Sequence, residues 1–99
     1  MPKKLAPVHP GEILKVEFLD ELEITPYRLA ADTGMPQSRI GKIISGERGI
    51  TADTALRLGH YFGMTPQFWL NLQTRHDLDV AEDKIGHVLA HMTTAKAAG

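Results

Sequence analysis

Cysteine is absent from this chain of 99 residues. Its absence excludes disulfide bonds, thiolate metal sites and cysteine nucleophiles together. Long apolar runs are also missing, because no stretch reaches the roughly 18 residues that a membrane-spanning helix needs. The first ten residues contain two lysines but no apolar segment, so we do not expect a secretory signal. We therefore expect a soluble, cytoplasmic protein that makes no contact with membranes.

A large excess of charge is missing too, since the formal net charge is -1 at pH 7. Near-neutrality argues against a protein that coats nucleic acid without regard to sequence. The distribution is uneven, because residues 25–50 carry four basic and two acidic side chains, whereas the segments on both sides have a small acidic excess. Any attraction to phosphate is therefore concentrated in the middle of the chain.

The first helix is predicted to begin near Pro10, because proline is favoured in the first helical turn. Leu14, Phe18 and Leu22 recur at every fourth position, which predicts one buried stripe along this helix. Residues 1–8 have no such periodicity, and we expect them to form a flexible arm.

Four further helices are predicted from their start and stop signals. Threonine N-caps at Thr25, Thr51 and Thr65 begin three of them, and glycines at 34, 46 and 63 end three. No segment alternates with a period of two over the length of a strand, so the fold is predicted to be all-α. The side chains expected to face inward are Leu29, Ala30, Ile40, Ile43, Ile44, Ala55, Leu56, Leu58, Tyr61, Phe62, Phe68, Trp69 and Leu72. For the last three, the core is favoured over a dimer interface.

Residues 25–49 have the pattern of a helix-turn-helix, in which a tight turn joins two short helices. The small Ala30 lets the two helices approach closely. Gly34 suits a turn that needs a positive φ angle. Ile40 and Ile43 would hold the second helix against the body and leave the outer face of its first turn free for the DNA major groove.

Three polar residues on that first turn are candidates for reading bases. Gln37 can pair with adenine N6 and N7, and Arg39 can pair with guanine O6 and N7. Ser38 supplies a short hydrogen-bond donor or acceptor.

Three basic residues, Arg28, Lys42 and Arg48, are candidates for contacts with the DNA backbone. The free N–H groups at the start of the second helix also attract phosphate. Polar residues occupy the exposed faces of every small helical protein, however, so a generic helical bundle remains an alternative on the residue pattern alone.

Metal binding and catalysis have weaker support. His87 and His91 are four residues apart and could share a metal ion, but no third ligand is evident and a solvated tail is the simpler interpretation. The acidic residues from Asp77 to Asp83 lack the spacing of a calcium loop, so a solvated face is favoured there too. No activated serine and no close carboxylate pair are apparent. We expect neither an enzyme nor a bound metal or cofactor.

Three segments, HPGEIL, RGITADTALRL and TPQFWLNLQ, resemble the HigA antitoxins, also known as virulence-associated protein I. These belong to the XRE/Cro-repressor class of helix-turn-helix proteins. The similarity runs from His9 to about residue 78. GMPQSRI by itself would indicate only the broader repressor class.

The resemblance implies a repressor that binds a palindromic operator as a homodimer and neutralises a partner toxin that cleaves messenger RNA. It also implies that the recognition helix runs from Gln37 to Ile44, with Gln37, Ser38 and Arg39 as base readers. The predicted dimer interface is the fifth helix together with an apolar stripe formed by Ile85, Val88, Leu89 and Met92. Two alternatives remain open: a solitary regulator without a toxin, and a toxin-capping module that binds DNA weakly.

Two residues depart from the pattern of the repressor class. Pro26 stands where many members have a glutamine that touches phosphate, so that contact is lost. Gly41 stands in mid-helix where a larger polar residue is common. Glycine costs about 1 kcal/mol of helix propensity relative to alanine and removes a possible contact. Either the sequence readout is narrower there, or the protein backbone approaches DNA more closely.

We therefore predict a compact five-helix, lambda-repressor-like DNA-binding domain over residues 9–78. Its helix-turn-helix spans about residues 26–45. An acidic and amphipathic extension follows over residues 79–99. Its apolar stripe leaves open the possibility of a short sixth helix.

Overall fold

The computed structural model describes residues 6–95, and every regular element in that range is a helix. In chain order these are α1 (Pro10–Ile13), which continues directly into a π-helical segment (Leu14–Asp20), then α2 (Pro26–Thr33), α3 (Gln37–Ser45), α4 (Ala52–Phe62) and α5 (Pro66–His91). The predicted all-α, five-helix fold is confirmed. Residues 1–5 of the predicted arm lie outside the described residues, and residues 6–8 have no regular secondary structure.

The π-helical segment corrects the predicted face of the first helix. Leu14 and Leu19 are buried, whereas Leu22, which the four-residue spacing placed inside, is 56% exposed. A π-helix bonds residue i to residue i+5, so side chains five positions apart share a face. The helix ends at Glu23, which adopts a positive φ of 55° without being glycine.

The helix-turn-helix forms as its cap residues predict. The Thr25 hydroxyl accepts a hydrogen bond from the Arg28 N–H at 3.1 Å and so caps α2. Gly34 and Gly46 follow α2 and α3 with φ angles of 76° and 86°, in the left-handed region that glycine adopts at least cost. The two turns of the unit are therefore set by local chemistry.

The start of α5 is confirmed in part. Thr65 has the extended backbone of an N-cap and Pro66 occupies the first turn, but no side-chain hydrogen bond caps this helix. Proline lacks an N–H, so one fewer donor needs a partner at this helix start.

The core forms where the π-helical segment, α2, α3, α4 and the first half of α5 meet. Its fully buried members include Ile40, Ile43, Leu58 and Trp69, and the Phe18 ring lies 4.9 Å from the Trp69 ring. The core position of Trp69 is confirmed, with Phe68 and Leu72 half-buried against it. Leu56 was predicted to face inward but is 60% exposed, while Met35 and Ile50 are buried without having been predicted.

Helix α5 is a single helix of 26 residues, about 39 Å long. Ile85, Val88 and Leu89 of the apolar stripe lie within this helix and Met92 directly follows its end, so the stripe does not form a separate sixth helix. The radius of gyration is 17.0 Å, against about 13 Å for a compact domain of this length, because the second half of α5 projects from the body. Over residues 6–95, no helix combines the length and apolarity that crossing a bilayer requires.

Candidate nucleic-acid interface

Helix α3 is held from behind by α1 and α2. The approach of α1 is so close that a Cβ on Gly11 would lie 1.7 Å from the Ile43 carbonyl oxygen, a distance that only glycine allows. The Gly11 N–H donates to His9 Nδ1 at 2.9 Å, which fixes the start of α1 at this contact. Ile40 and Ile43 are buried beneath it. The opposite face of α3 therefore stays open to solvent in a fixed orientation.

The first turn of α3 presents two unengaged side chains. Gln37 and Ser38 are exposed, and neither side chain has a hydrogen-bond partner among residues 6–95. The N-cap residue is Pro36, whose side chain cannot accept a hydrogen bond, so the N–H groups of this turn have no side-chain cap. Such a turn combines free donors with the positive end of the helix dipole and suits a negatively charged or acceptor-rich ligand.

Arg39 differs from its two neighbours because its guanidinium is already paired. Its Nη1 donates to Asp53 Oδ1 on α4 at 2.9 Å, and its side chain is only 26% exposed. The same carboxylate oxygen accepts from Arg57 Nε at 2.9 Å, and Arg57 Nη1 donates to the Thr33 carbonyl at 2.7 Å. This chain of bonds ties α3, α4 and the end of α2 together.

The charge of Asp53 follows from the same contacts. The hydrogen bond from Arg57, and after it the bond from Arg39, lowers the pKa of the Asp53 carboxyl. Asp53 is therefore ionised throughout the neutral range.

Arg28 lies on α2 with its side chain 66% exposed, and its Nε is 3.3 Å from Asp32 Oδ2. The Tyr61 hydroxyl donates to the same oxygen at 2.6 Å, which links α2 to α4. This bond to a carboxylate, followed by partial burial, raises the pKa of Tyr61. The exposed pair leaves the Arg28 guanidinium free to exchange Asp32 for another anion at little cost.

Lys42 and Arg48 are exposed and have no ion-pair partner among residues 6–95. Arg48 lies on the loop after α3, and its N–H donates to the Lys42 carbonyl at 3.1 Å. The far end of this loop is fixed by Gln73 of α5, whose Oε1 accepts from the Ile50 N–H at 2.6 Å. Two unpaired cations are thus held at the end of α3.

The structure adds three residues that sequence reasoning missed: Asp53, Arg57 and Gln73. The i, i+4 spacing of Asp53 and Arg57 on one helix signals their ion pair. Nothing local signals the bond of Gln73 to Ile50, which is 23 residues away in the chain.

A metal site has no support in the described part of the chain. No three histidine or acidic side chains between residues 6 and 95 are grouped closely enough to hold an ion. His87 and His91 lie exposed on the projecting half of α5.

Comparison with known proteins places this arrangement in a family. A helix-turn-helix family model matches residues 17–69, which include α2, α3 and α4. The virulence-associated protein I of Dichelobacter nodosus is 51% identical over 75 residues, covering 76% of this chain and 69% of that protein. A Pseudomonas aeruginosa antitoxin HigA, solved with the higBA promoter, is 41% identical with a TM-score of 0.85, covering 92% of this chain and 99% of that one. The chain belongs to the HigA group of the helix-turn-helix family.

A second structural relative of this HigA-group protein extends the likeness. It is a Pseudomonas aeruginosa protein solved in complex with its 18-base-pair operator DNA. It is 40% identical with a TM-score of 0.89, and the match covers 96% of this chain and 100% of that one. The resemblance inferred from HPGEIL, RGITADTALRL and TPQFWLNLQ is therefore confirmed for the family and for the fold.

Proposed function

We propose that this protein is a sequence-specific DNA-binding repressor and the antitoxin of a toxin–antitoxin pair. The observation that carries the proposal is the open first turn of α3, with Gln37 and Ser38 exposed and uncapped N–H groups beside them. Relatives of the same fold, solved with promoter or operator DNA, support it. The family is one of DNA-binding regulators, and the protein is not an enzyme.

In this proposal Gln37, Ser38 and Arg39 enter the major groove. The Gln37 amide pairs with an adenine, and the donors of Arg39 that do not face Asp53 pair with a guanine. Gly41 supports a close approach, because it carries no side chain and the space beside it is open: a Cβ built there meets nothing within 4 Å.

The DNA backbone is contacted by Arg28, Lys42 and Arg48 and by the N–H groups at the start of α3. Three cations from each protomer of a dimer correspond to about six phosphates, which gives a slope of about -5 for the logarithm of affinity against the logarithm of salt concentration. Binding is therefore strongly salt-dependent even though the whole chain is near neutral.

Dimerisation is proposed through the projecting half of α5. Leu78, Ala81, Ile85 and Val88 are all exposed and are spaced by three or four residues, the spacing of a coiled-coil seam. A second copy that packs along this seam would cover apolar surface that the monomer leaves in water. Two protomers would then read two half-sites about 34 Å apart in a palindromic operator.

The toxin partner is proposed from the family, as a protein that cleaves messenger RNA, and both partners act in the cytoplasm, where the operator DNA lies. In the test, the open reading frame beside this gene is expressed alone and then together with this chain. We expect growth to stop in the first case and to recover in the second. If the product of the neighbouring open reading frame did not affect growth, the protein would be interpreted as a solitary regulator without a toxin.

The base-reading assignment is tested by titrating variants against the operator and against single-base variants of it. We expect Gln37→Ala to cost about 1–3 kcal/mol at one base position and to relax specificity there. Lys42→Ala and Arg48→Ala should weaken binding evenly across sequences and reduce the salt slope. Arg75→Ala is the matched control, because it removes an exposed arginine of α5 far along the chain from α3. Equal affinity of the wild type for all sequences would refute operator recognition.

The dimer is tested separately by sedimentation velocity at micromolar concentration. Val88→Asp places a charge in the apolar seam and should yield monomers. His87→Asp introduces the same side chain one position away, outside the seam, and should leave the dimer intact. A Val88→Asp protein that sediments like the wild type would place the interface elsewhere.

A further inference from the structure

Asp53 brings a negative charge next to the proposed base-reading arginine. Its carboxylate is 57% exposed on the first turn of α4, so its charge acts on the solvent side of the interface. Because it pairs with Arg39 and Arg57, Asp53 offsets part of the positive charge that these arginines bring to the surface. The acidic residue therefore weakens the general attraction of this surface to DNA, which suggests that it serves another purpose there.

The contacts of Asp53 suggest that purpose. One oxygen, Oδ1, accepts from Arg39 Nη1 and from Arg57 Nε, both at 2.9 Å. Arg57 is itself held by the Thr33 carbonyl at 2.7 Å, so the carboxylate is restrained from two directions. Because the bond to Asp53 uses one of the five N–H donors of Arg39, the remaining donors stay available to a base.

The exposure of Arg39 is consistent with such restraint. Its side chain is 26% exposed, whereas the guanidinium-bearing side chains of Arg28 and Arg75 are 66% and 81% exposed. A side chain that is already ordered in the free protein loses less conformational entropy when the protein binds DNA. This order favours binding to the base that matches the ordered geometry of the side chain.

We infer that Asp53 is a positioning residue that orients Arg39 toward its base and raises the discrimination between operator and other DNA. The inference rests on the proposed function. On the operator, Arg39 remains paired with Asp53 while it reads its base. On other DNA, Arg39 finds no matching acceptors, and its bond to Asp53 keeps it from turning to a phosphate instead, which disfavours the wrong sequence.

The test compares Asp53→Asn with the wild type on operator and scrambled DNA at one salt concentration. The variant keeps the size of the side chain but loses the charge, and α4 keeps its Thr51 cap. We expect the ratio of operator to scrambled affinity to fall about tenfold, or about 1.4 kcal/mol, with affinity for scrambled DNA unchanged or higher. If the ratio of operator to scrambled affinity in the variant stays within about twofold of the wild-type ratio, the inference is overturned.

Asp79→Asn is the matched control. It removes the same charge and an arginine ion pair, since Asp79 Oδ2 lies 3.4 Å from Arg75 Nε on α5. We expect its affinity ratio to equal that of the wild type. An equal fall in both variants would assign the effect to net charge and overturn the positioning role of Asp53.

A second readout needs no DNA. Side-chain NMR of the arginine Nε–H groups should show Arg39 ordered and Arg48 mobile in the wild type, with Arg39 as mobile as Arg48 in Asp53→Asn. An Arg39 signal that does not respond overturns the positioning role. If the wild-type protein bound operator and scrambled DNA equally, the proposed function and the role of Asp53 in discriminating between sequences would both be refuted. The NMR result would still decide whether Asp53 orders Arg39.

Discussion

The contact between α1 and α3 predicts opposite effects for the same substitution at two glycines. In Gly11→Ala, the new Cβ would lie 1.7 Å from the Ile43 oxygen and 2.6 Å from its carbonyl carbon. Carbon and oxygen normally meet at about 3.3 Å, so α1 would have to move about 1.6 Å away from α3. Both nearest atoms belong to the backbone of a buried helix segment, and no side-chain rotation relieves the overlap.

The magnitude follows from the packing that this movement removes. A gap of about 0.5–1 Å already forfeits a quarter to a half of the dispersion attraction across a contact. Leu14 and Ile43 are fully buried near this contact, so the loss affects the centre of the core. We expect Gly11→Ala to lower the free energy of unfolding by about 3 kcal/mol, the upper end for overpacked cores. The melting temperature should fall by about 12–24 °C.

Gly41→Ala is the matched control, since it makes the same chemical change in α3. No atom lies within 4 Å of the new Cβ, and φ at Gly41 is not positive. Alanine should therefore stabilise the protein by about 1 kcal/mol through better helix propensity. The melting temperature should rise by about 4–8 °C.

Urea unfolding followed by circular dichroism, at one protein concentration, measures both free energies. If Gly11→Ala unfolds within about 0.5 kcal/mol of the wild type, the ordinary range for surface substitutions, the contact between α1 and α3 tolerates a Cβ and the predicted overlap is refuted. A shift of stability in the same direction for both substitutions would also refute it.

Two further predictions test the first helix. Leu19→Ala should lower the free energy of unfolding by about 2–5 kcal/mol because Leu19 is buried, whereas Leu22→Ala at an exposed site should lower it by less than about 1 kcal/mol. If urea unfolding gave the reverse order, the π-helical register would be refuted. Burial, and then the nearby His76, lowers the pKa of His9, and the neutral imidazole accepts a hydrogen bond from the Gly11 N–H. The stabilisation from neutral His9 is therefore complete above the ordinary histidine pKa of about 6.5. It is lost as the pH falls through the lowered pKa of the folded state. His9→Asn keeps an acceptor that does not titrate, so free energies of unfolding measured from about pH 7.5 to pH 5 should depend less on pH than in the wild type, and identical slopes would contradict the assignment.

Much of the fold could be predicted because its signals are local. Thr25 and Thr51 cap their helices with bonds to N–H groups three residues ahead, and these bonds need nothing from the rest of the chain. Gly34 and Gly46 end helices for an equally local reason, since a positive φ is cheap only without a Cβ. The burial of Ile40 and Ile43 followed from helical periodicity.

The predictions that proved wrong depended on backbone geometry or packing that helical periodicity does not specify. Leu22 was placed inside because a four-residue spacing assumes α-helical bonding, and the π-helical segment brings Leu19 inward instead. Leu56 fits the apolar pattern of α4 but faces solvent, because the packing of the helices within residues 6–95 leaves that side of α4 open. The possible sixth helix, left open by the stripe at residues 85–92, does not form separately, because no residue before the stripe interrupts α5.

The sequence by itself determined most helix starts, the ends of α2, α3 and α4, the helix-turn-helix and the family. These depend on residues close together in the chain or on short sequence motifs. Only the tertiary structure decided that Arg39 is paired with Asp53, 14 residues away, and that Gln73 anchors the loop of Arg48 from 23 residues away through Ile50. Side-chain contacts between helices depend on how the helices pack, and helical periodicity specifies which face is apolar without specifying which polar groups meet across it.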